Sequence, residues 1–165
     1  HSASIMGLEA INEDVYLEFA NHHLAKNGKE ISAEAFDYLY HRFDGITWYI
    51  QYVLNMLYSS VSDQSLLTVD DVKAAISMIL AQHRFAYQAL IFQLTAKQKQ
   101  VLVAIAKEGK PSSLMSQAFL QKYRLGASTV QGAVKTLLEK DFITQDEGCF
   151  QLCDKFLELY LKGEE

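Results

Sequence analysis

The histidines are the side chains closest to metal-ligand chemistry. His22 and His23 are adjacent, while His41 and His83 stand apart from them and from each other. Zinc takes three or four His, Cys or carboxylate groups at a spacing that lets them converge. Adjacent residues on a helix point about 100° apart, and the spacing offers no Cys or carboxylate partner, so no metal site is expected. Cys149 and Cys153 are four positions apart and form no C-x-x-C pair. Reduced thiols in or near the core are the expectation, since continued strand alternation would put both on one face. The paired carboxylates Glu13-Asp14 and Asp70-Asp71 could act as acid and base only in a cleft that separates their pKa values. Both pairs stand at helix starts, where the helix dipole accounts for them, and no catalytic residue is expected.

What remains is recognition chemistry. A helix over Ser128–Lys140 turns Thr129, Gln131, Gly132, Lys135, Thr136 and Glu139 outward. A helix that reads DNA needs Arg, Lys, Asn or Gln aimed at base edges and basic neighbours for the phosphates. This face has one Gln, one Lys and a Glu. Lys97, Lys99, Lys107, Lys110, Lys122 and Arg124 add a thin basic surface, while Asp146-Glu147 at a hairpin tip would repel phosphate. A protein partner or an intramolecular contact is favoured, and DNA is possible but not favoured.

Those residues must be held by elements that the sequence also marks. Asn12 caps a first helix, whose stripe is read as Val15, Phe19 and Leu24 with Tyr16 and Ala20; Asn27-Gly28 stops it. Ser32 caps a second, with Phe36, Leu39, Tyr40 and Phe43 inward and a break at Asp44-Gly45. A third, about Thr47 to Ser60, is apolar nearly all round and should be central in its half. Thr68 with Asp71 resembles a capping box opening a long fourth helix through Val72, Ile76, Ile79, Leu80, His83, Tyr87 and Leu90. No strand is expected before Leu94. Beyond it, Thr95 with Gln98 caps a helix that ends at Glu108-Gly109-Lys110-Pro111. Ser113 opens a short helix through Phe119, Leu120 and Tyr123. After the turn Leu125-Gly126-Ala127, Ser128 with Gln131 makes another capping box. Strands at Phe142–Thr144 and Cys149–Leu152 flank the hairpin signal Asp146-Glu147-Gly148, and a last helix holds Phe156, Leu159 and Tyr160. Helix, helix, glycine-containing turn, helix, hairpin is the order of a winged helix-turn-helix. The fold class is therefore mainly α: a helical bundle followed by a winged helix with a short β-hairpin wing.

Composition bounds the rest. The chain has 165 residues, half of them apolar, and a net charge of −5. Residues 1–93 carry 5 basic and 11 acidic side chains, and residues 94–165 carry 10 and 9, so the first part is at −6 and the second at +1. Neither has the basic excess of a free-standing nucleic-acid binder. Two units are implied, 11–93 and 94–165, after an opening loop over 1–10. No apolar run approaches the ~20 residues of a membrane-spanning helix, no signal-peptide pattern opens the chain, and a cytoplasmic location is expected. The first residues, His1-Ser2-Ala3-Ser4, lack a methionine, which suits a fragment of something longer.

The segments LTAKQKQVLVAIAKEG, FLQKYRLGASTVQGAVKTLLEKDFI and GCFQLCDKFLELYL resemble the winged-helix module that closes many AAA+-type ATPases. ISAEAFDYLYHRFDGITWYIQYVLNMLY resembles the helical lid of the archaeal-type ATPases, relatives of the STAND NTPases found in archaea and some bacteria. HSASIMGLEA resembles the end of the ATPase core. The resemblance implies a lid over 11–93, a core remnant over 1–10, and an ATPase core in cis. Gly45-Ile46-Thr47 matches a Gly-x-Pro step whose proline approaches the nucleotide in many relatives, so Gly45 and Thr47 are the nucleotide-proximal candidates, although Thr47 lacks the ring. Residues 1–165 contain no G-x-x-x-x-G-K-[ST] phosphate loop. ATP and magnesium would thus belong to the parent protein, and the chain as given would be no enzyme. Its expected role is to couple the nucleotide state of that core to a partner. The other reading is a winged-helix DNA-binding transcription regulator with an N-terminal helical domain; a plain protein-interaction adaptor is a third. Thr129, Gln131, Gly132 and Lys135 are the residues expected to face a partner or nucleic acid. The tyrosines around Trp48 (Tyr38, Tyr40, Tyr49, Tyr52, Tyr58) would supply core and a packing surface.

Overall fold

A computed structural model of the chain describes residues 11–60 and 66–163; the loop expected over 1–10 lies outside the described residues. The chain divides into two compact units, His1–Ile79 and Leu80–Glu165.

In the first unit, α1 (Glu13–Leu24) starts where Asn12 accepts the backbone N–H groups of Asp14 and Val15. Its core face is Tyr16, Ala20 and Leu24, each within 2% of full burial, while Val15 and Phe19 are both 60% exposed. This corrects the expected stripe. Two i,i+4 series lie one residue apart in the sequence, and only one can face the core. A 3-10 turn, Ala25–Asn27, and Gly28 end this helix.

Two short strands follow, contrary to the expectation of none before Leu94. β1 (Glu30–Ile31) and β2 (Leu66–Leu67) pair in parallel, Glu30 with Leu66 and Ile31 with Leu67. At two residues each they are too short to show alternation. α2 (Ala33–Arg42) is capped by Ser32, whose hydroxyl accepts the Ala35 N–H at 3.1 Å. Ala35, Phe36, Leu39 and Phe43 are completely buried. Asp44 takes a left-handed conformation past its end, and the Gly45 N–H returns to the Tyr40 carbonyl at 2.8 Å, closing the C-terminus. α3 (Thr47–Ser60) buries Tyr49, Ile50, Val53, Leu54 and Leu57 and leaves Trp48 exposed. The Lys29 ammonium, nearly buried, donates to the Tyr58 carbonyl at 2.7 Å and the Leu57 carbonyl at 3.3 Å. A cation thus caps the negative end of α3. α4 (Val69–Phe92) opens with the expected capping box: Asp71 accepts from the Thr68 N–H at 2.8 Å and from its hydroxyl at 2.9 Å.

The second unit starts within α4, which turns Leu80, Tyr87 and Ile91 inward and leaves Leu90 outside. Tyr87 meets Tyr160 with ring centroids 5.3 Å apart. α5 (Ala96–Glu108) has its full capping box between Thr95 and Gln98. It buries Val101, Leu102, Ala104, Ile105 and Ala106, and packs against α7, α8 and β4 as the centre of the unit. α6 (Gln117–Tyr123) begins later than expected. Ser116, not Ser113, is its cap, and accepts the Phe119 N–H at 3.2 Å. α7 (Ala127–Glu139) is capped by Gly126 with no side-chain bond, so the Ser128–Gln131 box does not form. β3 (Ile143–Asp146) and β4 (Cys149–Leu152) pair antiparallel, Ile143 opposite Leu152 and Asp146 opposite Cys149. α8 (Lys155–Lys162) is capped by Asp154 and buries Phe156, Leu157 and Leu159. Lys155 and Glu158, both nearly buried, pair at 3.5 Å. Cys149 is half-buried, but Cys153 is exposed because β4 ends at Leu152. The expected near-core placement fails there. Among the described residues, no helix is long and apolar enough to cross a membrane.

Candidate partner-binding face

Three pieces of the second unit meet around α7. The first is α7 itself. Val130, Ala133 and Leu137 point inward, and Ser128, Gln131, Gly132, Lys135 and Glu139 are exposed. Thr129 and Thr136 are half-buried, and the Thr136 hydroxyl donates back to the Gly132 carbonyl at 3.4 Å. A Cβ at Gly132 would meet nothing within 4 Å. That position therefore presents bare backbone by choice of residue, not for want of space.

The second piece is the turn that aims α7. Arg124 sits in the left-handed region at φ 53°, and the Leu125 N–H reaches back to the Leu120 carbonyl at 2.9 Å. This ends α6 abruptly and leaves Gly126 extended, at φ −84° and ψ 144°, as the first residue of the next helix start. The sequence suggests Gly126 for the turn; the turn is made two residues earlier by an arginine.

The third piece is the hairpin. Glu147 and Gly148 both have positive φ, 48° and 79°, the two-residue turn that matches strand twist. The tip therefore carries Asp146 and Glu147, both exposed. The Phe150 N–H donates to the Pro111 carbonyl at 2.9 Å, tying the loop after α5 to the hairpin.

Between α7, the hairpin and the loop after α5 lies a groove of about 350 Å³, lined chiefly by Leu114, Met115, Val130, Gln131, Val134 and Phe150. Its walls are mostly apolar. Met115 is 47% exposed, a large side chain left in the open beside the helix. The order of elements and the hairpin tied at Pro111 are those of one fold. The second unit contains a winged helix. Residues 85–163 match a family described as a probable winged helix domain. No curated protein and no solved structure matches the chain.

The winged helix brings Thr129, Gln131, Gly132 and Lys135 onto one helix, as expected from their spacing. Sequence reasoning missed Leu114, Met115 and Phe150, which reach the groove from a loop and a strand. The signal was an apolar pair, Leu114-Met115, inside an otherwise polar loop.

The basic surface proves partly neutralised. Glu108 accepts from the Lys122 ammonium and, at 2.6 Å, from the Tyr123 hydroxyl. These bonds hold the Glu108 carboxyl below its ordinary range and raise the Lys122 ammonium. Lys122 is thus engaged within the domain.

The first unit places the remaining candidates separately. Gly45 is buried in the turn before α3, and Thr47 is the exposed first residue of that helix. His23 stacks on Tyr58 at 5.4 Å, and in the second unit His83 stacks on Tyr87 at 5.8 Å. His41 corrects the expectation that no carboxylate stands within reach. Its Nδ1 lies 3.3 Å from Asp37 Oδ1 and 3.9 Å from Glu13 Oε2. Asp37 is one helical turn away and Glu13 comes from α1. A hydrogen bond to the Asp37 carbonyl, helped by both carboxylates, raises the imidazole above its ordinary value. The exposed imidazole thus lies between two carboxylates, and the ligand atoms of Glu13, Asp37 and His41 fall within 4.8 Å of one another.

Proposed function

We propose that the winged helix is a protein-docking module, and that the chain is the C-terminal regulatory region of a cytoplasmic AAA+/STAND-like ATPase. One observation carries the docking reading. The exposed face of α7 offers Gln131, Lys135 and Glu139 with no arginine, next to an acidic hairpin tip and an apolar groove. Phosphate contacts dominate the affinity of DNA-binding folds, and this surface has little to make them with. A groove lined by Met115, Val134 and Phe150 suits apolar side chains of a protein. Support for the ATPase parent comes from the likeness of Ile31–Tyr58 to a lid segment. In that role the region transmits the nucleotide state of a core that holds ATP and magnesium, and the chain itself catalyses nothing.

The docking reading is tested by fluorescence anisotropy with a labelled DNA duplex at low salt. No saturable binding is expected. Salt-dependent binding weakened by Gln131→Ala and Lys135→Ala would replace it with the transcription-regulator reading, which the exposure of those two side chains favours. The ATPase reading is tested by the coding sequence upstream of His1, which should encode a phosphate-loop domain. A gene without one defeats it.

A further inference from the structure

We propose that the outer face of the second half of α4 binds the same face of a second copy of the chain, with the two helices antiparallel. Leu80, Tyr87 and Ile91 pack inward. On the opposite side Ala81, Phe85, Ala89 and Phe92 recur at spacings of four, four and three, which puts them in one stripe. Phe85 is 81% exposed and Phe92 is 90% exposed. A solvated helix face ordinarily carries charge, yet Arg84 is the one Asp, Glu, Lys or Arg between Ala74 and Ala96. Scattered exposed apolar residues need no explanation, but two aromatic rings on one uncharged stripe do.

The stripe is complementary to itself. An antiparallel pairing about a two-fold axis near Tyr87 sets Phe92 against Ala81 of the second copy and Phe85 against Ala89 of the second copy. Both pairs put a ring over a methyl group, and one axis generates both, as a two-fold interface requires. A parallel pairing would stack ring on ring and leave gaps between the alanines. Each ring brings roughly 150–250 Å². With the flanking alanines and glutamines, each copy contributes about 500 Å², for a total near the lower bound of about 1,000 Å² for a specific interface. The dimer is accordingly a reversible one.

Sedimentation velocity of the full chain over a wide concentration range tests this. The weight-average mass should rise from 18.7 kDa toward twice that. Phe85→Glu and Phe92→Glu should each raise the dissociation constant at least about tenfold, with an unchanged circular dichroism spectrum because both rings face outward. Phe85→Leu, which keeps an apolar knob and leaves the fold untouched, should weaken the dimer less than Phe85→Glu. A chain that stays monomeric up to about millimolar concentration overturns the proposal. So does a dimer indifferent to both glutamates, or a stripe that captures another protein without pairing with itself.

Discussion

Ser116 and Ser128 stand before similar short runs, and only one of them caps a helix. The Ser116 hydroxyl accepts the Phe119 N–H, whereas Ser128 lies inside α7 and makes no capping bond. Ser116→Ala should cost about 1 kcal/mol of unfolding free energy. Ser128→Ala should change it by less than about 0.5 kcal/mol. Urea denaturation of the two variants would check this, and equal losses would contradict the cap assignment. The spacing Ser-x-x-Gln is a fair sign of a capping box, and Thr95–Gln98 forms one. At Ser128 the sign fails because the left-handed Arg124 turns the chain early, so Gly126 already occupies the cap. A left-handed arginine leaves no mark in composition. The exposure of Gln131, Gly132, Lys135 and Glu139 on α7 was legible because a period of 3.6 residues sorts them without knowledge of neighbours, while Thr129 and Thr136, at the edge of that face, are half-buried. Met115 and Phe150 were not legible, since their place beside α7 depends on contacts far apart in the chain.

The hairpin wing carries a local cost. A side chain bearing a Cβ loses roughly 1–2 kcal/mol in the left-handed region, and Glu147 is held there. Asparagine tolerates that conformation, and Asn-Gly is the preferred pair for this turn. Glu147→Asn should therefore raise stability by about 0.5–1 kcal/mol, seen as a higher melting temperature. A neutral or lower value would show that the carboxylate makes a compensating interaction. Element bounds were mostly readable, because caps and stops are local: α1, α2, α3 and α5 begin where Asn12, Ser32, Thr47 and Thr95 suggest. The buried face of α1 was not. Val15 and Phe19 offer the same spacing as Tyr16 and Ala20, and only packing against Phe36, whose ring centroid is 5.3 Å from that of Tyr16, selects between them. The β1–β2 pair escaped notice for a related reason: two residues pairing across more than thirty positions carry no period of their own.

At the scale of the whole molecule, the sequence changes rhythm at Leu94 while the second compact unit begins at Leu80. The last turns of α4 give that unit Tyr87 and Ile91, both buried. A fragment of residues 80–163 should unfold cooperatively. One starting at Leu94 should lose about 3 kcal/mol or more, the usual cost of deleting a large aromatic residue from a core. Chemical denaturation of the two fragments compares them, and equal stability would mean that Tyr87 contributes nothing to the unit. Each unit also hides one amine: Lys29 beneath the last carbonyls of α3, and Lys155 beside Glu158. An acylating reagent reaches a hydrogen-bonded, buried ammonium only when the surrounding structure opens. The two lysines therefore act as separate chemical clocks. Their labelling rates, read by peptide mass spectrometry, would report the opening of one unit independently of the other, against exposed lysines such as Lys26, Lys97 and Lys135.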